Sequence, residues 1–96
     1  MAYALSIGFK VEDYEKWKAD FDRAAAARKE SGQGSYQIFR FHDDPDTFVI
    51  LVEWESVETA RAFLESDEMQ ELNRCNGVTE MGEMLYLVEM DKGTLD

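Results

Sequence analysis

An α+β fold of element order β-α-β-β-α-β is predicted by three observations along the chain. Apolar residues alternate with period two in several short stretches. Between them, capping residues introduce two segments with apolar residues at helical spacing, the second and third strands being joined by an acidic, proline-containing reversal. No internal repeat, low-complexity stretch or linker interrupts this order, so residues 1–96 are expected to form one domain.

The first strand runs from Tyr3 to Val11, with Tyr3, Leu5, Ile7, Phe9 and Val11 alternating with smaller or polar residues. Asp13 then suits a helix N-cap, and Tyr14, Trp17, Phe21, Ala24 and Arg28 recur at spacings of three and four. This predicts one helix over 13–31, ended by Ser31-Gly32-Gln33-Gly34, where glycine can close the last turn in a left-handed conformation. Ser35–His42 and Thr47–Trp54 read as a hairpin around Asp43-Asp44-Pro45-Asp46, with Pro45 suited to the second position of a type I turn. Ser56 caps a second helical stretch containing Ala60, Phe63 and Leu64, and Ser66-Asp67 marks a bend or restart before Met69 and Leu72. After Gly77, Met84–Met90 forms the last strand, followed by an acidic tail.

This order suits a ferredoxin-like layer: a four-stranded antiparallel sheet with both helices on one face and right-handed crossovers. The strands, however, are apolar on both sides. Phe48, Ile50, Val52 and Trp54 oppose Val49 and Leu51, while Leu85 and Leu87 oppose Met84, Tyr86 and Val88. Two helices cover one face only, and a half-solvated sheet would alternate polar residues outward. Apolar burial is worth roughly 25 cal/mol per Å², so an uncovered second face is costly. A homodimer packed through its sheet faces is the expected solution; the alternative is a monomer with different strand assignments.

Composition narrows the partners. With 10 Lys+Arg against 21 Asp+Glu, the net charge of -11 disfavours nucleic acid and anionic membrane surfaces, both of which call for clustered cations. The hydrophobic content of 45% and aromatic content of 12% are enough to fill a core, which argues against disorder. Cys75 is the only cysteine, no basic region precedes the short apolar start, and the longest aliphatic and aromatic run is 48–52, so a cytoplasmic protein without a membrane span is expected.

The segments Val11-Glu12-Asp13-Tyr14 with Trp17, Asp44-Pro45, Val52-Glu53-Trp54-Glu55-Ser56, Ala60-Arg61-Ala62-Phe63 with Ser66, and Gly77-Val78 together resemble the antibiotic biosynthesis monooxygenase-like family of dimeric α/β barrels. The likeness spans nearly the whole chain. It implies a homodimer whose two sheets close a barrel, with a pocket in each subunit between sheet and helices. Family activities include cofactor-free oxidation of aromatic polyketides and haem degradation. In the haem-degrading branch an aromatic residue precedes Ser-Asp and a histidine ligates iron later in the helix. Here those positions hold Phe63, before Ser66-Asp67, and Asn73, whose amide is no substitute for imidazole. The first-strand asparagine of catalytic oxygenase relatives is also replaced, by the neighbourhood Ser6-Ile7-Gly8.

Trp17, Phe21, Trp54 and Phe63 are candidate walls for a pocket that takes an apolar or aromatic small molecule, although helical spacing of Trp17 and Phe21 fits core packing equally well. Arg40 and Asn73 are candidate anchors or polarising groups. Tyr86 is a further candidate donor, and Arg28 calls for a carboxylate, a ring face or a ligand anion, an ion pair with one of the acidic residues being the simplest solution. Catalytic residues are not identified by the sequence. No cofactor or metal is expected: Gly32-x-Gly34 follows a helix and meets Gln37 where a third glycine belongs, and His42 with Asp43, Asp44 and Asp46 matches turn chemistry and no metal motif. Cys75, near a helix C-terminus, reads as a packed or inert thiol. The leading reading is a cofactor-independent monooxygenase, isomerase or cyclase acting on an apolar or aromatic metabolite; the alternative is a noncatalytic ligand-binding or structural homodimer.

Overall fold

A computed structural model describes residues 2–95. The elements follow in the order β1 Ala2–Val11, α1 Tyr14–Arg23, α2 Ala25–Glu30, β2 Gln33–Phe41, β3 Asp44–Trp54, α3 Val57–Leu64, α4 Asp67–Cys75, β4 Val78–Glu80 and β5 Glu83–Val88. All strand pairs are antiparallel, in the order β2-β3-β1, and β4 and β5 both pair with β1. The ferredoxin-like α+β fold is thus present, but the sheet has five strands where the sequence predicts four. The extra one, β4, is three residues long, too short for alternation to reveal it. No helix among the described residues is long and apolar enough to cross a membrane.

Caps set the helix starts as expected. Asp13 Oδ1 accepts from Lys16 N at 3.2 Å, Ser56 Oγ from Thr59 N at 3.1 Å, and Ser66 Oγ from Met69 N at 3.2 Å. The predicted helix over 13–31 is instead two helices, broken at Ala24 with φ -86° and ψ 8°. The break leaves the Phe21 carbonyl without the backbone donor a continuous helix would provide, and the Arg28 guanidinium takes its place, Nη2 donating at 2.8 Å. Gly32, at φ +100°, closes α2.

The hairpin turn is tighter than expected. Phe41 pairs with Asp44, leaving His42 and Asp43 as the turn, and the next pair is Arg40 with Phe48. Pro45 therefore lies in an irregular start of β3, where a missing N–H is tolerated. Asp44 holds that irregularity: its carboxylate accepts from Thr47 Oγ1 at 2.6 Å and Asp46 N at 3.1 Å, and these bonds keep its pKa below the usual value.

Register decides the faces. Ala2, Ala4 and Ser6 of β1 are buried beneath the helices with Ile50, Val52 and Trp54 of β3. Tyr3, Leu5 and Ile7 lie on the other side. Gly8, at φ +89°, shifts the phase of β1, so that Phe9 joins the helix side and packs on Trp17 at a ring distance of 5.2 Å. Around it Tyr14 stacks on Phe48 at 4.8 Å, Trp17 meets Phe21 at 5.0 Å, and Phe21 meets Tyr36 edge-on at 5.0 Å. The uncovered face carries matching apolar partners: Ile7 with Val49, Phe39 with Val49, Leu5 with Leu51 and Leu85, and Tyr3 with Leu87.

Opposite Gly8, Gly82 separates β4 from β5 with φ +73°, and a Cβ there would lie 2.2 Å from the Ile7 carbonyl oxygen. Both the dihedral and the contact exclude a side chain. Gly82→Ala is expected to destabilise the protein by about 2 kcal/mol or more, whereas Gly93→Ala, with nothing within 4 Å, is expected to stay within about 0.5 kcal/mol, as measured by urea unfolding.

Candidate functional site

Small side chains on β1 leave space beneath the helices. Ala4 and Ser6, with Phe9, Ile50, Val52, Trp54, Phe21, Leu64, Met84 and Asn73, surround an inner cavity of about 70 Å³, closed further by Gln33 and Met81. A wider groove of about 540 Å³ lies beside it between α4 and the β4–β5 segment. Leu64, Asn73, Met81 and Met84 line both, so the two spaces meet at these residues. The groove is within the size range of small-molecule sites, whereas the inner cavity holds roughly two water volumes and can take only the tip of a ligand. Phe21, Gln33 and Trp54 line the inner cavity but not the groove.

The sequence candidates divide accordingly. Phe21, Trp54 and Asn73 line the inner cavity. Trp17 is a core residue that supports Phe9 and Phe21 from behind, and Phe63 backs Trp54 at a ring distance of 5.4 Å. Arg40 is not brought to them: it is exposed beside Tyr14, Ile38, Phe39, Pro45 and Phe48, with Nη1 donating to the Phe41 carbonyl at 3.3 Å. Ser6, Gln33 and Met81 also line the cavity, and the sequence does not point to them. Nothing local distinguishes them, since Gln33 lies in a glycine-rich turn signal and only its register with Trp54 carries it to the cavity.

Asn73 is 8% exposed on α4, at the junction of the two spaces, and among the described residues no hydrogen bond engages its side-chain amide. Trp54 is 0% exposed, and its indole Nε1 is buried without an acceptor. Other polar groups are committed. Ser6 Oγ donates to the Met81 carbonyl at 2.9 Å, tying β1 to the segment between β4 and β5. Tyr86 donates to Glu65 Oε2 at 2.9 Å with the Arg61 guanidinium 4.9 Å over its ring; burial and then the Glu65 bond push its pKa up.

Arg28 departs from the expected ion pair. It is 8% exposed, and no carboxylate among the described residues pairs with it. Its guanidinium sits 3.5 Å over the Phe21 ring and donates from Nη1 to Gln33 Oε1 at 3.4 Å, while Nε stays buried and unpaired. Burial depresses its pKa from the ordinary arginine value, but the group remains a cation. Cys75, expected as a packed or inert thiol, is exposed, and the Asp44 carboxylate is occupied by the hairpin.

An amide held in the fold by its own hydrogen bonds costs stability when removed; one kept for a ligand does not. Asn73→Leu is accordingly expected to raise stability by about 1 kcal/mol, whereas Ser66→Ala, which loses a helix cap, should lower it by about 1 kcal/mol in the same thermal unfolding series.

The family profile described as antibiotic biosynthesis monooxygenase matches residues 6–74. No curated protein matches the chain by sequence. Among solved structures, a Bordetella bronchiseptica protein provisionally named an antibiotic biosynthesis monooxygenase aligns with TM-score 0.71 at 16% identity, covering 93% of this chain and 97% of that one. SnoaB, a cofactor-independent oxygenase from Streptomyces nogalater, aligns with TM-score 0.68 at 16% identity over 95% of each chain. A Deinococcus radiodurans protein with the same provisional name as the first aligns with TM-score 0.66 at 14% identity, covering 100% of this chain and 99% of its own. At these identities the structural likenesses speak for the fold, and the profile speaks for kinship. The chain belongs to the antibiotic biosynthesis monooxygenase family.

Proposed function

We propose that the protein is a homodimeric, cofactor-independent monooxygenase for an apolar or aromatic metabolite, whose body occupies the groove and whose reacting edge enters the inner cavity. The observation that carries this reading is Asn73, a residue 8% exposed that lines both groove and cavity and whose side-chain amide makes no hydrogen bond among the described residues. An amide in that position can donate to a ligand oxygen as negative charge grows on it, the role an oxyanion stabiliser plays. In a reaction of this class the substrate supplies the electrons: an activated CH₂ becomes C=O while O₂ is reduced to water, so atoms and electrons balance without a further reductant. Apolar walls around Ala4, Phe9, Ile50 and Met84 would keep bulk water from the reacting carbon.

The dimer is supported by the uncovered sheet face. Leu5 lies between Leu51 and Leu85 in register, Ile7 faces Val49, and Phe39 beside them is 49% exposed. Burying such rows against a second copy would remove the apolar surface that a lone chain leaves in water. A second reading, a noncatalytic binding module, draws on the commitment of the Ser6 and Tyr86 hydroxyls to protein acceptors, which leaves few groups free for chemistry.

Oxygen consumption with an anthrone or a reduced quinol separates the two. Turnover by the wild type and a fall of about a hundredfold in kcat for Asn73→Ala are expected; absence of turnover in the wild type leaves the binding module. Light scattering is expected to give twice the chain mass, and Leu5→Lys, a charge at the centre of the face, should give single chains or aggregates. A wild-type mass of one chain would end the dimer proposal.

A further inference from the structure

The segment from Val78 to Gly82 forms one wall of the groove, and its Met81 also lines the inner cavity. The four residues shared by the two spaces are held with unequal firmness. Leu64 ends α3, Asn73 is buried on α4, and Met84 lies in β5, which pairs with β1 at every residue from Glu83 to Val88. Met81 lies between β4 and β5 and is 40% exposed. Its unbranched side chain can change rotamer without disturbing a helix or a strand. The tether of this segment is slight. β4 meets β1 at two residue pairs, Val78 with Val11 and Glu80 with Lys10, and the register shifts between them. Among the described residues one side-chain hydrogen bond reaches 78–82, from Ser6 Oγ to the Met81 carbonyl at 2.9 Å. The ends are firmer. The Gly77 carbonyl accepts from Glu12 N at 2.9 Å, and Gly82 lies so close to the Ile7–Gly8 backbone that no side chain fits. Held ends and a weakly bonded middle are the makings of a local opening unit.

We propose that Val78–Gly82 is a strap that gates the inner cavity, with Met81 as its gate side chain and the Ser6 hydroxyl as its latch. Breaking the Ser6–Met81 bond lets the middle of the strap lift from β1. The passage from the groove then widens, because the way inward runs between Met81 and the three fixed residues Leu64, Asn73 and Met84. Ser6 is buried and lines the inner cavity, so the latch sits on the cavity side of the strap. A cavity of about 70 Å³ beside a groove of about 540 Å³ is the closed form of such a device: the inner space admits more than the tip of a ligand only when the wall between them moves. The use of the strap as a ligand gate rests on the groove and cavity being the site proposed above; its opening does not.

Thiol labelling tests the strap on the full chain without a ligand. Cys75, the only cysteine, is exposed and is first removed as Cys75→Ser. In that background Ala4→Cys places a thiol in the inner cavity, and Ala60→Cys places one in the core away from it, both residues being buried. With methyl methanethiosulfonate, Ala4→Cys is expected to react about tenfold or more faster than Ala60→Cys, at a rate that urea below the unfolding transition leaves nearly unchanged. Adding Ser6→Ala, which removes the latch, or Met81→Ala, which removes the gate, should speed the Ala4→Cys reaction about three- to tenfold and leave Ala60→Cys as it was. The strap is wrong if Ala4→Cys reacts no faster than Ala60→Cys, if neither added variant changes its rate, or if both sites speed up alike. Should Ala4→Cys not fold, Ile50→Cys, buried in the same cavity, takes its place. Naphthalene is expected to slow the labelling. If it does so while the added variants have no effect, the strap falls and the cavity reading stands; if the variants act as expected and naphthalene does not slow the reaction, the ligand reading falls and the strap stands.

Discussion

The phase of β1 is the constraint on which the rest of the structure depends. Its small residues, Ala2, Ala4 and Ser6, face the helices, while Tyr3, Leu5 and Ile7 face away. In a pleated strand the two sets cannot be exchanged without shifting the register by one residue, which would move every side chain to the opposite face. Small residues below the helices leave a cavity that close packing would otherwise eliminate. Large ones above give the open face its apolar rows. A cavity beneath the helices and an apolar open face are therefore two consequences of one alternation, reversed locally by Gly8 so that Phe9 can close the core against Trp17.

The wall opposite β1 depends on a helix that does not continue. At Ala24 the backbone leaves the helical path, the Phe21 carbonyl loses its backbone partner, and a buried guanidinium takes over as donor. A lysine could not do this and also lie flat on the Phe21 ring, because the arginine fork offers several donors in one plane beside a stacking surface. The arrangement satisfies two Arg28 nitrogens and leaves Nε unpaired, a cost of about 1–3 kcal/mol for a buried donor. Trp54 carries a similar cost. Both lie around Gln33, so the buried nitrogens that protein contacts leave unsatisfied are gathered in one part of the core, between β2, β3 and α2.

Position along the site separates shape from chemistry. The groove is open to water and sets Glu65, Gln70, Arg74 and Glu80 among apolar walls, while the inner cavity is apolar apart from Ser6, Gln33 and Asn73 and the buried Trp54 indole. A mainly hydrophobic ring would lose water progressively as it moves inward. Asn73 stands at the boundary between the two environments.

The sequence by itself determined the succession of four main strands and two helical stretches, the caps at Asp13, Ser56 and Ser66, the helix stop at Gly32, and the presence of apolar residues on both sides of the sheet, because each is written in residues that are neighbours along the chain. Phe21, Trp54 and Asn73 were legible as lining residues for a related reason: they lie on apolar stripes or match a family position. Only the tertiary structure decided that Arg40 is left outside and that Arg28 lies beside the cavity. It also decided that Gln33 reaches Trp54, that Pro45 enters a strand, and that three residues after Gly77 make a separate strand on β1. Those outcomes depend on strand register, on bulges at glycine, and on a helix break without glycine or proline. Each is a balance among contacts far apart in sequence, where no short pattern of residues carries the answer.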